Sequence, residues 1–406
     1  MILVNKGRNN NKWQIILLSL VIAISTKFYC YINYQGNNVM IPALLLIFII
    51  LFLAKNKNFN KAWYKNEVIA LLVLPFVSAI PCLIYRGQAI TTTLVATRTE
   101  ALWLFYFILH QYKVPRNVIV KSLLIAGFIA VGINVLQEFS YPSFYLFDDL
   151  KAESDVEVRN GLYRFRLFVN NYYVFFCFFY FVCAYFACRA KKYIPLIMLF
   201  AIGVYFTLTR QIWVSIYITV FLFPFYSGSK LNTKKIVYLL ISIIALYIIS
   251  NNLGAIFGEE LLQRTTDAFN NEDEIRKQSM LFYGLQYWED PINVFLGNGR
   301  PSIGNSDYGT ATAYFQDTLG FWRSDIGIIG TFSYYGVVYI LAVIMLYKKI
   351  LKNFKKVSSY SKMLVVASLI NLPLAAWLLP IFFSFILYLQ DLEIEEYNYS
   401  NYSAPL

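Results

Sequence analysis

Ten arginines and a few carboxylates are the residues of this chain best equipped for chemistry. Arg86, Arg98, Arg159, Arg164, Arg166, Arg210, Arg264, Arg276, Arg300 and Arg323 lie in or beside every second polar break between apolar runs. Those breaks and the adjoining run ends hold 10 Arg and 3 Lys, whereas the alternate breaks hold 19 Lys and 3 Arg. A guanidinium presents a rigid planar fork that fits phosphate or carboxylate bidentately, while an ammonium is a point charge suited to anionic lipid heads. The segregation therefore predicts one face built to recognise phosphate or carboxylate. The 17 Asp and Glu between Glu138 and Asp325 offer the competing use, solvated ion pairs.

Particular positions sharpen the expectation. Arg210 sits in Thr207-Leu208-Thr209-Arg210-Gln211, between two apolar runs with almost no loop. A charge held that close to hydrocarbon is costly unless it has a partner, a ligand or a path to the interface. Arg98 and Glu100, at the outer start of the fourth apolar run, could form a simple ion pair. Arg164-Phe165-Arg166 leads into Asn170 and Asn171 at the start of the next run, where a helix N-terminus would favour an anion. Asp325 follows Arg323 at a loop–membrane junction and suits a general base, although Ser324-Asp325 could equally cap the helix that follows. Asp307 and Glu259 are the other carboxylate candidates. The segment Gly297-Asn-Gly-Arg-Pro-Ser-Ile-Gly304 lacks the ending of a P-loop and reads as a loop whose amides could face a phosphate. The single His, His110, reads as an interfacial residue. Cys30, Cys82, Cys177, Cys183 and Cys188 lie in or beside apolar runs. They show no metal-ligand spacing and suggest no disulfide framework.

The elements that must position these groups are apolar helices. Of 406 residues, 58% are hydrophobic and 14% charged, against nearer a quarter charged in soluble domains. A soluble domain is excluded, and the alternation expected of a β-barrel is missing. The reading is an all-α integral membrane protein. Runs at 13–32, 38–54, 67–85, 89–112, 118–138, 169–187, 193–209, 211–227, 236–250 and 326–347 each approach the length of a bilayer crossing. The run 361–390, with Asn371 and Pro373 near its middle, reads as two short helices or as one tilted helix. The total is about twelve spans, or eleven.

Lysine placement puts the basic breaks, and the N-terminus with them, on the cytoplasmic side of an inner membrane. The organisation expected is nine helices in 1–250, a large periplasmic loop at 251–325 before the tenth span, further helices in 326–390, and an acidic cytoplasmic tail at 391–406. The loop carries Leu281, Phe282, Tyr283, Leu285, Tyr287, Trp288, Phe315, Phe321 and Trp322, enough apolar mass to pack. Residues 272–288 read as an amphipathic helix.

Three of these features resemble the O-antigen polymerase and O-antigen ligase superfamily of bacterial inner membranes. They are Arg164-x-Arg166 before Asn170-Asn171, the Thr207–Trp213 turn, and a long loop with Arg264, Arg276, Trp288 and Pro291–Gly299 running to Asp325-Ile-Gly327 and Tyr335-Gly336. The resemblance implies a C-type glycosyltransferase that moves a glycan from an undecaprenyl-diphosphate carrier, with no further cofactor, no metal and no nucleic-acid partner. It implies arginines on the leaving diphosphate and a carboxylate on the acceptor hydroxyl. Arg210 and Asp325 are then the catalytic candidates, and Arg98, Arg166, Arg264, Arg276, Arg300 and Arg323 the residues that bind diphosphate or glycan. The ligase branch carries a loop His that this chain lacks, which favours a polymerase. A flippase or transporter is the rival from another class, against which stand one dominant loop and no repeat between the halves. Whether a chain-length regulator takes part is left open by the sequence.

Overall fold

A computed structural model describes residues 10–28, 37–54, 59, 61–140, 156–159, 162–165, 171–207, 210–226, 237, 273–373 and 379–402. Among them every regular element is helical apart from one antiparallel hairpin, β1 (Val156–Arg159) and β2 (Leu162–Phe165), in which Glu157 faces Arg164 in register. Helices suit a chain this apolar, because they satisfy every backbone polar group internally where no water is available.

The helices follow in chain order. They are α1 (Asn10–Ser25), α2 (Asn37–Leu53), α3 (Lys65–Val77), α4 (Ala79–Arg86), α5 (Ile90–Thr97), α6 (Leu104–Gln111), α7 (Arg116–Ser140), α8 (Tyr172–Cys188), α9 (Ile194–Tyr205) and α10 (Arg210–Tyr226). The second half holds α11 (Asp273–Leu281), α12 (Pro291–Leu296), α13 (Asp307–Leu319), α14 (Gly327–Lys352), α15 (Ser359–Asn371) and α16 (Pro380–Tyr402). Three stretches are long and apolar enough to cross a membrane: Lys65–Arg86, Arg116–Ser140 and Arg323–Lys352. Asn11–Ser25, Val39–Leu53, Tyr172–Cys188 and Trp213–Phe223 are shorter apolar helices.

Several expectations need correction or extension. The run 89–112 is not one uniform helix, because a 3₁₀ segment, Arg98–Trp103, separates α5 from α6. The run 361–390 divides into α15 and α16, and α16 continues to Tyr402. The acidic segment expected as a tail from 391 is therefore helical as far as 402, with Asp391, Glu393 and Ile394 buried. The expected span at 236–250 lies outside the described residues except for position 237.

The main core is aromatic and joins both halves of the chain. Trp103, Tyr106, Phe105, Phe176, Phe179, Phe383, Phe385 and Tyr388 are all buried in it. The acidic end of α16 is tied down by groups from distant elements. Asp391 accepts from the Tyr106 hydroxyl at 2.5 Å and lies 2.8 Å from His110 Nε2. Arg116 donates to Glu393 at 2.6 Å, and Tyr64 donates to Gln390 at 2.9 Å. Lys61 pairs with Glu395, and Lys349 grips both oxygens of Glu67 at 2.9 Å. His110 is thus built into a buried pairing and does not stand at a free interface.

Residues 273–326 fold into a compact cap of short helices with its own small core of Cys82, Tyr283, Tyr287, Tyr308 and Ile326. The helix expected within 272–288 forms as α11, but Ile275 and Leu281 are exposed while Ser279 is buried, and it runs on into a π-helical turn at Phe282–Gln286.

Candidate active site: an arginine cluster walled by tyrosines

The cap docks onto α14 through two interlocked glycines. Gly336 interrupts α14 at φ 74° and ψ −178°, a conformation closed to residues with a side chain. A Cβ there would lie 2.3 Å from the Phe295 carbonyl, and one on Gly297 would lie 2.2 Å from the Tyr334 carbonyl. The kink frees carbonyls that the loop then uses. Gly299 N–H donates to Tyr334 O at 2.9 Å, and Asn298 N–H points at Ser333 O at 3.4 Å. These amides, with Gly297 N–H on Asn293 O and Ser302 N–H on Gln88 Oε1, are already engaged. The expectation that the Gly297–Gly304 amides face a phosphate is overturned at those four positions, because their hydrogens bind the protein itself.

This docking gathers three arginines from separate elements. Arg86 ends α4. Its Nε donates to Asn298 Oδ1 at 2.9 Å, one Nη donates to Glu289 at 2.6 Å, and the other donates to the Tyr287 carbonyl. Arg323 opens the 3₁₀ turn before α14 and is 2% exposed. Its guanidinium lies 4.3 Å from the Tyr283 ring centre, 4.9 Å from Tyr287, 4.9 Å from Tyr334 and 5.9 Å from Tyr308. Among the described residues only Nη1 reaches a hydroxyl, Thr312 at 3.5 Å, and Nε and Nη2 have no hydrogen-bond partner. Arg300 is half-buried, interacts electrostatically with Tyr334 and donates to Thr99 Oγ1 at 3.3 Å. Burial opposes its charge, and Tyr335, Tyr334 and Glu100 more than offset that, so its pKa is raised.

The walls are held as firmly as the cations. Tyr308 donates to Gly299 O at 3.2 Å and Tyr283 to Phe321 O at 3.2 Å. Burial pushes the Tyr283 hydroxyl up to about 12 despite the Arg323 charge beside it. Gln88 is the loop's clasp. Its amide donates to Thr93 at 2.8 Å and to Arg300 O at 3.0 Å, while its carbonyl accepts from Ser306 at 2.6 Å and Ser302 N–H at 2.9 Å.

Of the residues expected from sequence, Arg300 and Arg323 come together here. Arg98 and Arg276 are half-buried elsewhere on the 3₁₀ segment and α11. The expected Arg98–Glu100 pair does not form. Glu100 accepts instead from the Tyr335 hydroxyl at 3.3 Å and faces Arg300, because residues two apart on a helical turn point in different directions. Asp325 is exposed, accepting from Ser324 at 3.1 Å, and the following helix has no side-chain cap. Asp307 is exposed in the first turn of α13. Arg210 opens α10. Arg166, Arg264 and Glu259 lie outside the described residues. Arg86, Gln88 and the four cage tyrosines were not singled out as site residues by sequence.

The cluster can hold concentrated positive charge in a low-dielectric setting at the end of an apolar helix. Among the described residues the only carboxylate ion-paired within it is Glu289, on Arg86. No protein-family model matches the chain, and no curated protein matches it.

Proposed function

We propose that this chain is a glycosyltransferase of the bacterial inner membrane that polymerises undecaprenyl-diphosphate-linked oligosaccharide repeat units at the periplasmic face. The product would be O-antigen or a related surface polysaccharide. In this reading about twelve helices cross the bilayer with the N-terminus cytoplasmic, and the segment 251–325 is a periplasmic loop.

The observation that carries the reading is Arg323. A buried cation without a carboxylate costs several kcal/mol in effective desolvation, and four aromatic rings return only part of that at roughly 1–2 kcal/mol for a favourable desolvated contact. The remainder is recovered if an anion arrives. A diphosphate about 7 Å from each of two guanidiniums would gain roughly 2 kcal/mol per pair at an effective dielectric of about 20. That attraction grows as the glycosidic bond breaks and charge collects on the leaving diphosphate, which is when it accelerates the reaction. Arg300, half-buried, is the contact residue. Arg323 and Arg86 supply field behind it. Arg210, with Arg98, Arg166, Arg264 and Arg276, is assigned to the diphosphate and glycan on the same face, and Asp325 is the exposed carboxylate of that face.

The sequence's one His is His110, engaged by Asp391, which supports the polymerase branch over the ligase branch. Deleting the gene and resolving the surface polysaccharide on a gel tests the proposal. Collapse of the ladder to a single repeat unit is expected. An unchanged ladder would contradict it, and loss of all glycan would point to a ligase or flippase.

A further inference from the structure

Glu100 is a carboxylate in an unusual position. It sits in the 3₁₀ segment that interrupts an otherwise apolar helical run, a type of irregularity often found at functional sites. Its Oε1 accepts from the Tyr335 hydroxyl at 3.3 Å, and Oε2 has no hydrogen-bond partner among the described residues. Thr99, immediately before it, holds the Arg300 guanidinium at 3.3 Å. Glu100 and Arg300 therefore attract each other without closing into an ion pair, with Tyr335 lying against both. A half-buried pair kept for stability would be expected to close into direct contact, as Lys349 does on both oxygens of Glu67. A carboxylate and a guanidinium held side by side and apart suit a reaction that needs a base and an anion site next to each other. Asp325 lacks this setting: it is exposed, and the Arg323 beside it in sequence turns inward among the tyrosines.

We infer that Glu100 is the general base of the transfer and that Arg300 receives the charge of the leaving diphosphate; this rests on the glycosyltransferase reading. The acceptor hydroxyl gives its proton to the Glu100 carboxylate as its oxygen bonds to the anomeric carbon of the donor. The bond from that carbon to the diphosphate oxygen breaks, and its electron pair leaves on undecaprenyl diphosphate beside Arg300. Protonated Glu100 then returns its proton to water. Tyr335 is a positioning residue that fixes the Glu100 carboxylate and keeps it from collapsing onto Arg300.

The test uses the full chain in lipid nanodiscs with an undecaprenyl-diphosphate-linked oligosaccharide as donor and acceptor, following elongation and, separately, binding of undecaprenyl diphosphate. Wild type is expected to elongate. Glu100→Gln is expected to lose at least about 100-fold in kcat, the usual scale of a lost acid–base group, while binding undecaprenyl diphosphate as wild type does. Elongation by wild type and Glu100→Gln alike would overturn the role of Glu100 and leave the glycosyltransferase reading standing. Loss of elongation together with binding would also overturn it, because that is how a merely structural carboxylate behaves. Loss in Asp325→Asn with full activity in Glu100→Gln would return the role to Asp325. No elongation by wild type would overturn the reading and the role of Glu100 with it.

Discussion

Arg86 and Arg323 share one aromatic ring: their guanidiniums lie 4.2 Å and 4.9 Å from the centre of Tyr287. The two cations come from chain positions more than two hundred residues apart, and among the described residues only one has a carboxylate partner. Arg86 has Glu289, Asn298 and a carbonyl. Arg323 has rings and a single long contact to Thr312. The ring keeps two like charges close while supplying each with a negative π face.

If Arg323 is kept for its charge, removing it should not harm the fold. Arg323→Met fills similar volume and abolishes the desolvation cost. The melting temperature of the purified protein should equal or exceed that of wild type, with elongation reduced at least about 100-fold. A variant that is strongly destabilised yet active once folded would show that Arg323 is a structural brace.

Tyr287 should matter as a ring and hardly as a hydroxyl. Tyr287→Phe keeps both cation–ring contacts and should retain activity within a few-fold. Tyr287→Ala opens a cavity between two cations and should cost about 3–5 kcal/mol, the range for large aromatic-to-Ala changes in cores. Chemical denaturation in detergent measures the difference, and equal behaviour of the two variants would contradict it.

The docking of cap on helix hangs on Gly336 and Gly297. Gly336→Ala brings a Cβ within 2.3 Å of a backbone carbonyl at a φ of 74°. Strain of this kind costs on the order of 1–3 kcal/mol before the clash is counted. Limited proteolysis should cut the 273–326 cap of Gly336→Ala well before that of wild type. Equal cleavage rates would show that the interlock is dispensable.

Arg210→Lys keeps a charge and removes the planar fork. If the turn between α9 and α10 grips phosphate bidentately, the polysaccharide ladder should shorten sharply while membrane levels of the protein stay normal. A wild-type ladder would rule out that role for Arg210.

Much of the helix pattern was legible because apolar runs and polar breaks follow directly from the requirement to satisfy backbone groups in hydrocarbon. The loop's capacity to pack was also visible, since Phe282, Tyr283, Tyr287 and Phe315 stood in a segment otherwise rich in charge. What they pack around was not visible. The cage takes Tyr283 and Tyr287 from one helical turn and Tyr308 and Tyr334 from two other pieces of chain, and no spacing rule connects the three pieces. Arg86 was legible as one of the ten segregated arginines, but its place in the cluster was not, because its partners, Glu289 and Asn298, are remote in sequence. The Arg98–Glu100 expectation rested on nearness in sequence, and residues two apart on a helical turn point in different directions. The Gly297–Gly304 amides looked available only because the Gly336 kink that consumes several of them lies more than thirty residues further on. Acidic residues after 390 read as a tail by composition, whereas their partners, Tyr106, His110, Arg116 and Lys61, come from the first third of the chain.

A periplasmic lipid diphosphate can be gripped only if the arginine-bearing end of the molecule faces outward. Asp307 and Ser324 are exposed on that end. A cysteine placed at either position, probed in intact cells with a membrane-impermeant maleimide, reads the sidedness directly. Labelling in intact cells, equal to that after lysis, is the result expected. Labelling only after the membrane is opened would put the cluster in the cytoplasm and contradict the assignment.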